Sequence, residues 1–194
     1  MGLTIHYKGK LKNVNDLKSL IEDVKDVAIA EKWDYFVFED QFENNSFSEI
    51  IDTENLYGIM ITPPQSEPFS MSFLSNGRMS SILNFNVMQL ENDINEELLY
   101  AVFTKTQYSG YENHKKLILL LDFISKRYLE DFECKDDGYY WESRDEDLLK
   151  KTFEKYTNLI DGFTSSIEMI PINEGENLEN YLLRLASITN KNLK

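Results

Sequence analysis

Apolar side chains recur in this chain at two spacings, and the order in which the spacings alternate limits what it can fold into. Leu3, Ile5 and Tyr7 alternate with Thr4, His6 and Lys8, the period of two that lays one face of a strand on a core. The stripe Leu17, Leu20, Ile21, Val24, Val27 and Ala28 follows the helical period instead, with Lys18, Glu22, Lys25 and Asp26 outside it and Asn13 or Asn15 placed to cap its start. Trp33 to Phe38 reads as a strand, set parallel to the first by the helical crossover. A polar loop, 41–55, separates it from the strands Leu56 to Thr62, stopped by Pro63-Pro64, and Phe69 to Leu74. Asn76-Gly77 is a hairpin signal that sends Arg78 to Leu83 back antiparallel. Leu98 to Tyr108 is a further strand.

A second long helix starts near Ser109, where Ser109-x-x-Glu112 fits a capping box, and carries Leu117, Leu120, Leu121, Ile124 and Tyr128. Phe132 to Lys135, a turn at Asp137-Gly138 and Tyr139 to Glu142 form a compact hairpin. Two helices close the chain, one on Leu149, Phe153, Tyr156, Ile160 and Phe163, the other on Leu178, Tyr181, Leu182 and Leu185. Strand, helix, several strands, helix, strands, helices is an α+β order: one domain, 1–194, with a largely antiparallel sheet and helices packed on it. Tyr7-Lys8-Gly9 recurs as Tyr108-Ser109-Gly110, and the stripe from Leu17 to Val24 matches Leu117 to Ile124 at a shift of 100 residues. Duplication of a β-α-β-β unit, with halves 1–96 and 97–194, produces this echo. So does the stripe that any two sheet-packed helices share.

Charge is unevenly placed. The net charge is −14, and 33–77 holds Asp34, Glu39, Asp40, Glu43, Glu49, Asp52, Glu54 and Glu67 without a Lys or Arg. Residues 130–149 hold nine acids against Lys135 and Arg144. A chain of this polarity repels phosphate backbones and anionic membrane, so neither nucleic acid nor membrane is an expected partner. A protein with a basic surface is, because opposite potentials steer association. No aliphatic run approaches the length of a membrane span, the start lacks a secretion signal, and Cys134 stands alone. A cytoplasmic location is the expectation.

Catalytic groupings are scarce. Of the two histidines, His6 shares a strand face with Thr4 and Lys8, while His114 lies three residues before Leu117 and heads the buried stripe of its helix. A core-edge role suits His114 better than acid–base work. There is no HExxH, no Walker loop, no G-x-G-x-x-G and no G-x-S-x-G. A calcium loop counted from Glu133 finds its glycine at Gly138 but Arg144 at the twelfth position. No metal or cofactor is expected, and Asp145 reads as the cap of the helix it precedes. Arg78, at a hairpin tip, is the first base after the acid-only stretch.

The blocks LTIHYKGKLK, LYGIMITPP, FLSNGRMSS, KTQYSGYENH and DDGYYWESRDEDLL resemble those of a family of uncharacterised bacterial proteins. The resemblance implies a single bacterial cytoplasmic domain and carries no activity.

The expected function is therefore a non-catalytic acidic protein-binding domain, of the kind an inhibitor, an immunity-type protein or an adaptor provides. Its expected partner face is Asp136, Asp137, Tyr139, Trp141, Glu142, Asp145 and Asp147, where aromatics stand among acids. The other acid-only stretch, 33–77, is the fallback. The alternative is an enzyme or small-ligand binder using His6, Arg78 and Lys105, with Glu142, on an open sheet face.

Overall fold

A computed structural model describes residues 2–90 and 95–192, apart from the side chains at 166–168, 186–187 and 189–192. In chain order the elements are β1 (Thr4–Leu11), α1 (Asp16–Glu31), β2 (Asp34–Val37), β3 (Tyr57–Thr62), β4 (Phe69–Phe73), α2 (Ile82–Leu90), α3 (Glu96–Leu99), β5 (Val102–Lys105), α4 (Gly110–Tyr128), β6 (Leu129–Asp136), α5 (Tyr140–Ser143), α6 (Glu146–Met169) and α7 (Leu178–Asn192). The class is α+β, with two small antiparallel sheets. The chain divides into two compact units, 1–153 and 154–194. No described helix is long and apolar enough to cross a membrane.

In the first unit the sheets run β5-β1-β6 and β2-β3-β4. Residues 77–80 join them. Leu74 N bonds Arg78 O and Ser80 N bonds Ser72 O, at 2.9 and 3.0 Å, while Leu11 N bonds Gly77 O and Met79 N bonds Gly9 O, at 2.8 and 2.9 Å. The Asn-Gly hairpin thus forms, but only its first residues stay extended. Helix α2 begins at Ile82, where a strand was expected. Tyr7 closes the remaining gap between the sheets: its hydroxyl donates to Ser70 O and accepts from Ser70 N, at 3.1 and 3.0 Å.

Both aliphatic stripes face inward. Leu17, Leu20, Val24 and Ala28 of α1 and Leu117, Leu121 and Ile124 of α4 are fully buried. Helix α1 lies on β2 and β3, α4 lies on β6, and the two helices touch, with Tyr128 O–H donating to Asp23 Oδ2 at 2.5 Å. Of the expected caps of the two long helices only Asn13 bonds as one, its Oδ1 accepting from Asn15 N at 2.9 Å. Asn15 and Ser109 are already in helical conformation and make no capping bond with their side chains. Ser109 Oγ instead donates to Pro64 O at 2.7 Å, which anchors α4 to the loop after β3.

The topology also corrects one expectation. Strand β2 does not lie parallel to β1: it pairs antiparallel with β3 in the other sheet. Around the two echoing stripes the strands are arranged differently, since β5 and β6 flank β1 in one sheet whereas β1 and β2 lie in different sheets.

In the second unit, Tyr181 O–H donates to Ile170 O at 2.8 Å, and the Arg184 guanidinium meets Glu176 Oε1 and Oε2 at 2.8 and 2.6 Å. These bonds tie α7 to the segment that precedes it.

Candidate functional site

Strand β6 ends at Asp136, opposite Ile5 of β1, and the chain reverses there through Tyr139 in the left-handed region at φ 60°. The reversal turns three N–H groups onto one carboxylate. Gly138 N reaches Asp136 Oδ1 at 2.7 Å, and Tyr140 N and Trp141 N reach Oδ2 at 2.8 and 3.0 Å. His114, near the start of α4, faces the same group with Nε2 2.9 Å from Oδ1. The two atoms face each other without the geometry of a linear hydrogen bond. His114 Nδ1 meets Thr106 Oγ1 at 2.6 Å, and the Phe153 ring stands edge-on to the imidazole with centroids 5.3 Å apart. A Cβ on Gly138 would lie 2.8 Å from both His114 Nε2 and Leu149 Cδ1, so only glycine permits this approach.

Hydroxyl, imidazole and carboxylate in series are the groups of a nucleophile–base relay, but nothing can reach these. Thr106 and His114 are 0% exposed and Asp136 is 2% exposed. The arrangement holds α4, β6 and the turn after it together. Burial alone pushes the Asp136 carboxyl up; the His114 contact and charge and the N–H groups of Gly138 and Trp141 outweigh it and hold the carboxyl below its ordinary range. His114 is thus the core histidine that its place in the stripe implies. Asp136 does not lie on a partner face: it is drawn inside because the turn it begins leaves N–H groups that the backbone cannot satisfy.

The rest of the expected face is divided. Tyr139 to Glu142 does not form a hairpin strand but a helical turn, α5, because Asp136 gathers its N–H groups. Asp137 lies 3.7 Å from His6 Nε2. Trp141 is half-buried, edge-on to Phe132 at 5.6 Å and under the Arg144 guanidinium at 4.9 Å. Asp145 Oδ1 accepts from the N–H of Asp147 and Leu148 at 2.9 and 3.0 Å, the predicted cap of α6. Glu146 pairs with Lys115 and Lys150. Tyr139, Glu142 and Asp147 remain exposed.

His6, Arg78 and Lys105 are not brought together. His6 lies on the open face of β1 near Phe103, Arg78 stacks over Tyr100 at 5.0 Å, and Lys105 lies over Tyr108 at 5.7 Å. The open face holds a cavity of about 200 Å³ lined by His6, Lys8, Phe103, Glu133, Cys134 and Lys135, smaller than the roughly 300 Å³ at which small-molecule pockets begin. The Cys134 thiol is pushed up to about 12 by burial and by the charges of Asp136 and Glu142, which leaves it protonated and unreactive at neutral pH. Among the described residues no three His, Cys, Asp or Glu side chains converge on a point where a metal ion would sit.

The acid-only stretch is arranged differently. Asp34, Glu39, Asp40, Glu43, Glu49, Glu54 and Glu67 are all exposed. Among the described residues none of them is within ion-pairing distance of a Lys, Arg or His. Asp52 instead accepts from Glu54 N, Asn55 Nδ2 and Tyr57 O–H, at 2.7, 2.8 and 3.3 Å, and these bonds outweigh its partial burial and lower its carboxyl. Tyr57 is pushed up to about 12, first by burial and then by Asp52, Glu43 and Glu39. Next to these acids, Tyr35 and Phe36 of β2 are 42% and 57% exposed. Sequence reasoning missed this pair because it read 33–38 as a strand parallel to the first and did not place it at an edge. Its signal was the Asp34 and Glu39 that flank the apolar run.

No family model, curated protein sequence or solved structure matches this chain.

Proposed function

We propose that this chain is a non-catalytic acidic domain that binds a protein with a basic surface, as an inhibitor, an immunity-type protein or an adaptor does. The observation that carries the reading is the set of exposed carboxylates Asp34, Glu39, Asp40, Glu43, Glu49, Glu54 and Glu67, none of which, among the described residues, is within ion-pairing distance of a base. Such charges repel one another, but they attract a positive surface over a Debye length of about 8 Å in physiological salt and raise the association rate. The series Thr106, His114 and Asp136, sealed in the core, is not available as a catalytic relay.

The test compares two charge variants in pull-downs from a lysate of the source cells, at low and moderate salt. One carries Asp34→Asn, Glu39→Gln, Asp40→Asn and Glu43→Gln; the other carries Asp137→Asn, Glu142→Gln and Asp147→Asn. The first variant should lose salt-sensitive partners that wild type and the second retain. Equal recovery by all three at both salts would remove the acidic surface from the function.

A further inference from the structure

We propose that the outer edge of β2 takes up an extended, Lys- or Arg-bearing segment of the partner as an added β-strand. This rests on the acidic binding reading above and names its site.

The backbone is open there. Strand β2 lies at the edge of its sheet. Phe38 N bonds Gly58 O at 2.9 Å, so in this register Phe36/Met60 and Asp34/Thr62 are the hydrogen-bonded pairs. Tyr35 and Val37 therefore turn their N–H and C=O groups away from β3, and among the described residues nothing bonds them. Edge strands are commonly blunted by lysine, proline or a bulge. Strand β2, of sequence DYFV, has no lysine or proline and keeps an unbroken register with β3; the ladder turns irregular only after it, where Phe38 N bonds Gly58 O but Gly58 N bonds Glu39 O. The edge strand β6 is protected: its pairing with β1 shifts between Lys8 and Lys10, Asp131 sits at φ 50°, and Glu130, Glu133 and Lys135 are exposed along it.

Side chains and charge select the occupant. Tyr35 and Phe36 point to opposite faces of the sheet and offer apolar surface on either side of an added strand. Asp34, Glu39 and Asp40 flank them, and one base, Lys25 of α1, lies with its Nζ over the Tyr35 ring at 5.4 Å. A second copy of this chain would bring Asp34 and Glu39 against their own like charges, whereas a basic segment meets them with opposite charge.

The probe is a blocked hexapeptide alternating Lys with Val, titrated into ¹⁵N-labelled protein, with the same peptide carrying Glu for Lys as its counterpart. The Lys peptide should shift the Tyr35 and Val37 amides and slow their hydrogen exchange, and added salt should weaken it. Val37→Pro removes an outward N–H that the ladder to β3 does not use, so the fold should survive and binding should weaken roughly three- to tenfold, the scale of one hydrogen bond. Tyr35→Ser with Phe36→Ser gives the same test without touching the backbone and should weaken binding too. Salt-sensitive binding that maps elsewhere and ignores both variants overturns strand addition while leaving the acidic reading intact. Equal binding of the Glu peptide, or no binding of the Lys peptide at millimolar concentration, overturns both. Loss in the Val37→Pro variant of a wild-type dimer seen by sedimentation makes the occupant a second copy and overturns the proposal.

Discussion

Residues 33–77 and 130–149 are the two stretches where carboxylates crowd together, and the fold treats them in opposite ways. In the second, Glu130, Glu133, Asp137 and Glu146 lie against Lys10, Lys8, His6 and the pair Lys115 and Lys150, while Asp136 is enclosed with His114. Asp145 caps a helix. In the first, the exposed carboxylates meet no base among the described residues and surround a strand whose outer backbone edge and aromatic rings are open. The richer mixture of acids and aromatics is thus largely architectural. The plainer stretch keeps its charge free. Local charge density alone does not separate the two uses, because what decides is whether the chain brings bases and N–H groups to the carboxylates.

The sharpest way to break this contrast is Asp136→Ala. It removes the carboxylate that faces His114 Nε2, leaves three N–H groups without an acceptor and should cost about 3–5 kcal/mol in urea melts at neutral pH. A loss below about 1 kcal/mol would put the carboxylate among ordinary surface groups. The same residue sets a pH dependence. Its carboxyl is lowered in the fold, so its contribution is complete above the unfolded value of about 3.9 and is lost as pH falls through that value towards the folded one. The gap between wild type and Asp136→Ala should therefore be widest near pH 7 and narrow by pH 3.

Gly138→Ala comes next, with a Cβ 2.8 Å from His114 Nε2 and Leu149 Cδ1; overpacking of this kind costs about 1–3 kcal/mol, read from thermal or urea unfolding. Asp145→Ala removes the cap of α6 and should cost about 1 kcal/mol. Smallest of all are Glu39→Gln, Asp40→Asn and Glu49→Gln, each expected within about 0.5 kcal/mol of wild type. A larger loss from any of these three would show that the first stretch is architectural as well, and the two regions would then be alike.

The amino-acid order by itself determined the elements whose signals are local. The stripes from Leu17 and from Leu117, the period-two run of β1, the strands β3 and β4 bounded by Pro63-Pro64 and Asn76-Gly77, the Asn76-Gly77 turn and the Asp145 cap all depend on neighbours a few residues away, and all stand in the structure. The α+β class followed from their order. What tertiary structure alone decided was where each strand pairs and which polar groups are sealed. Strand β2 carries the same apolar signal as an interior strand, yet the return of β3 leaves it on an edge. Ser109 heads a capping-box sequence, but Pro64, brought close by the fold, takes its hydroxyl. Asp136 stands in a run of surface-like acids, and only the reversal at Tyr139 together with the approach of His114, 22 residues earlier in the sequence, draws its carboxylate into the core. Pairing and burial of this kind depend on residues far apart in the chain meeting in space, and no local period encodes that.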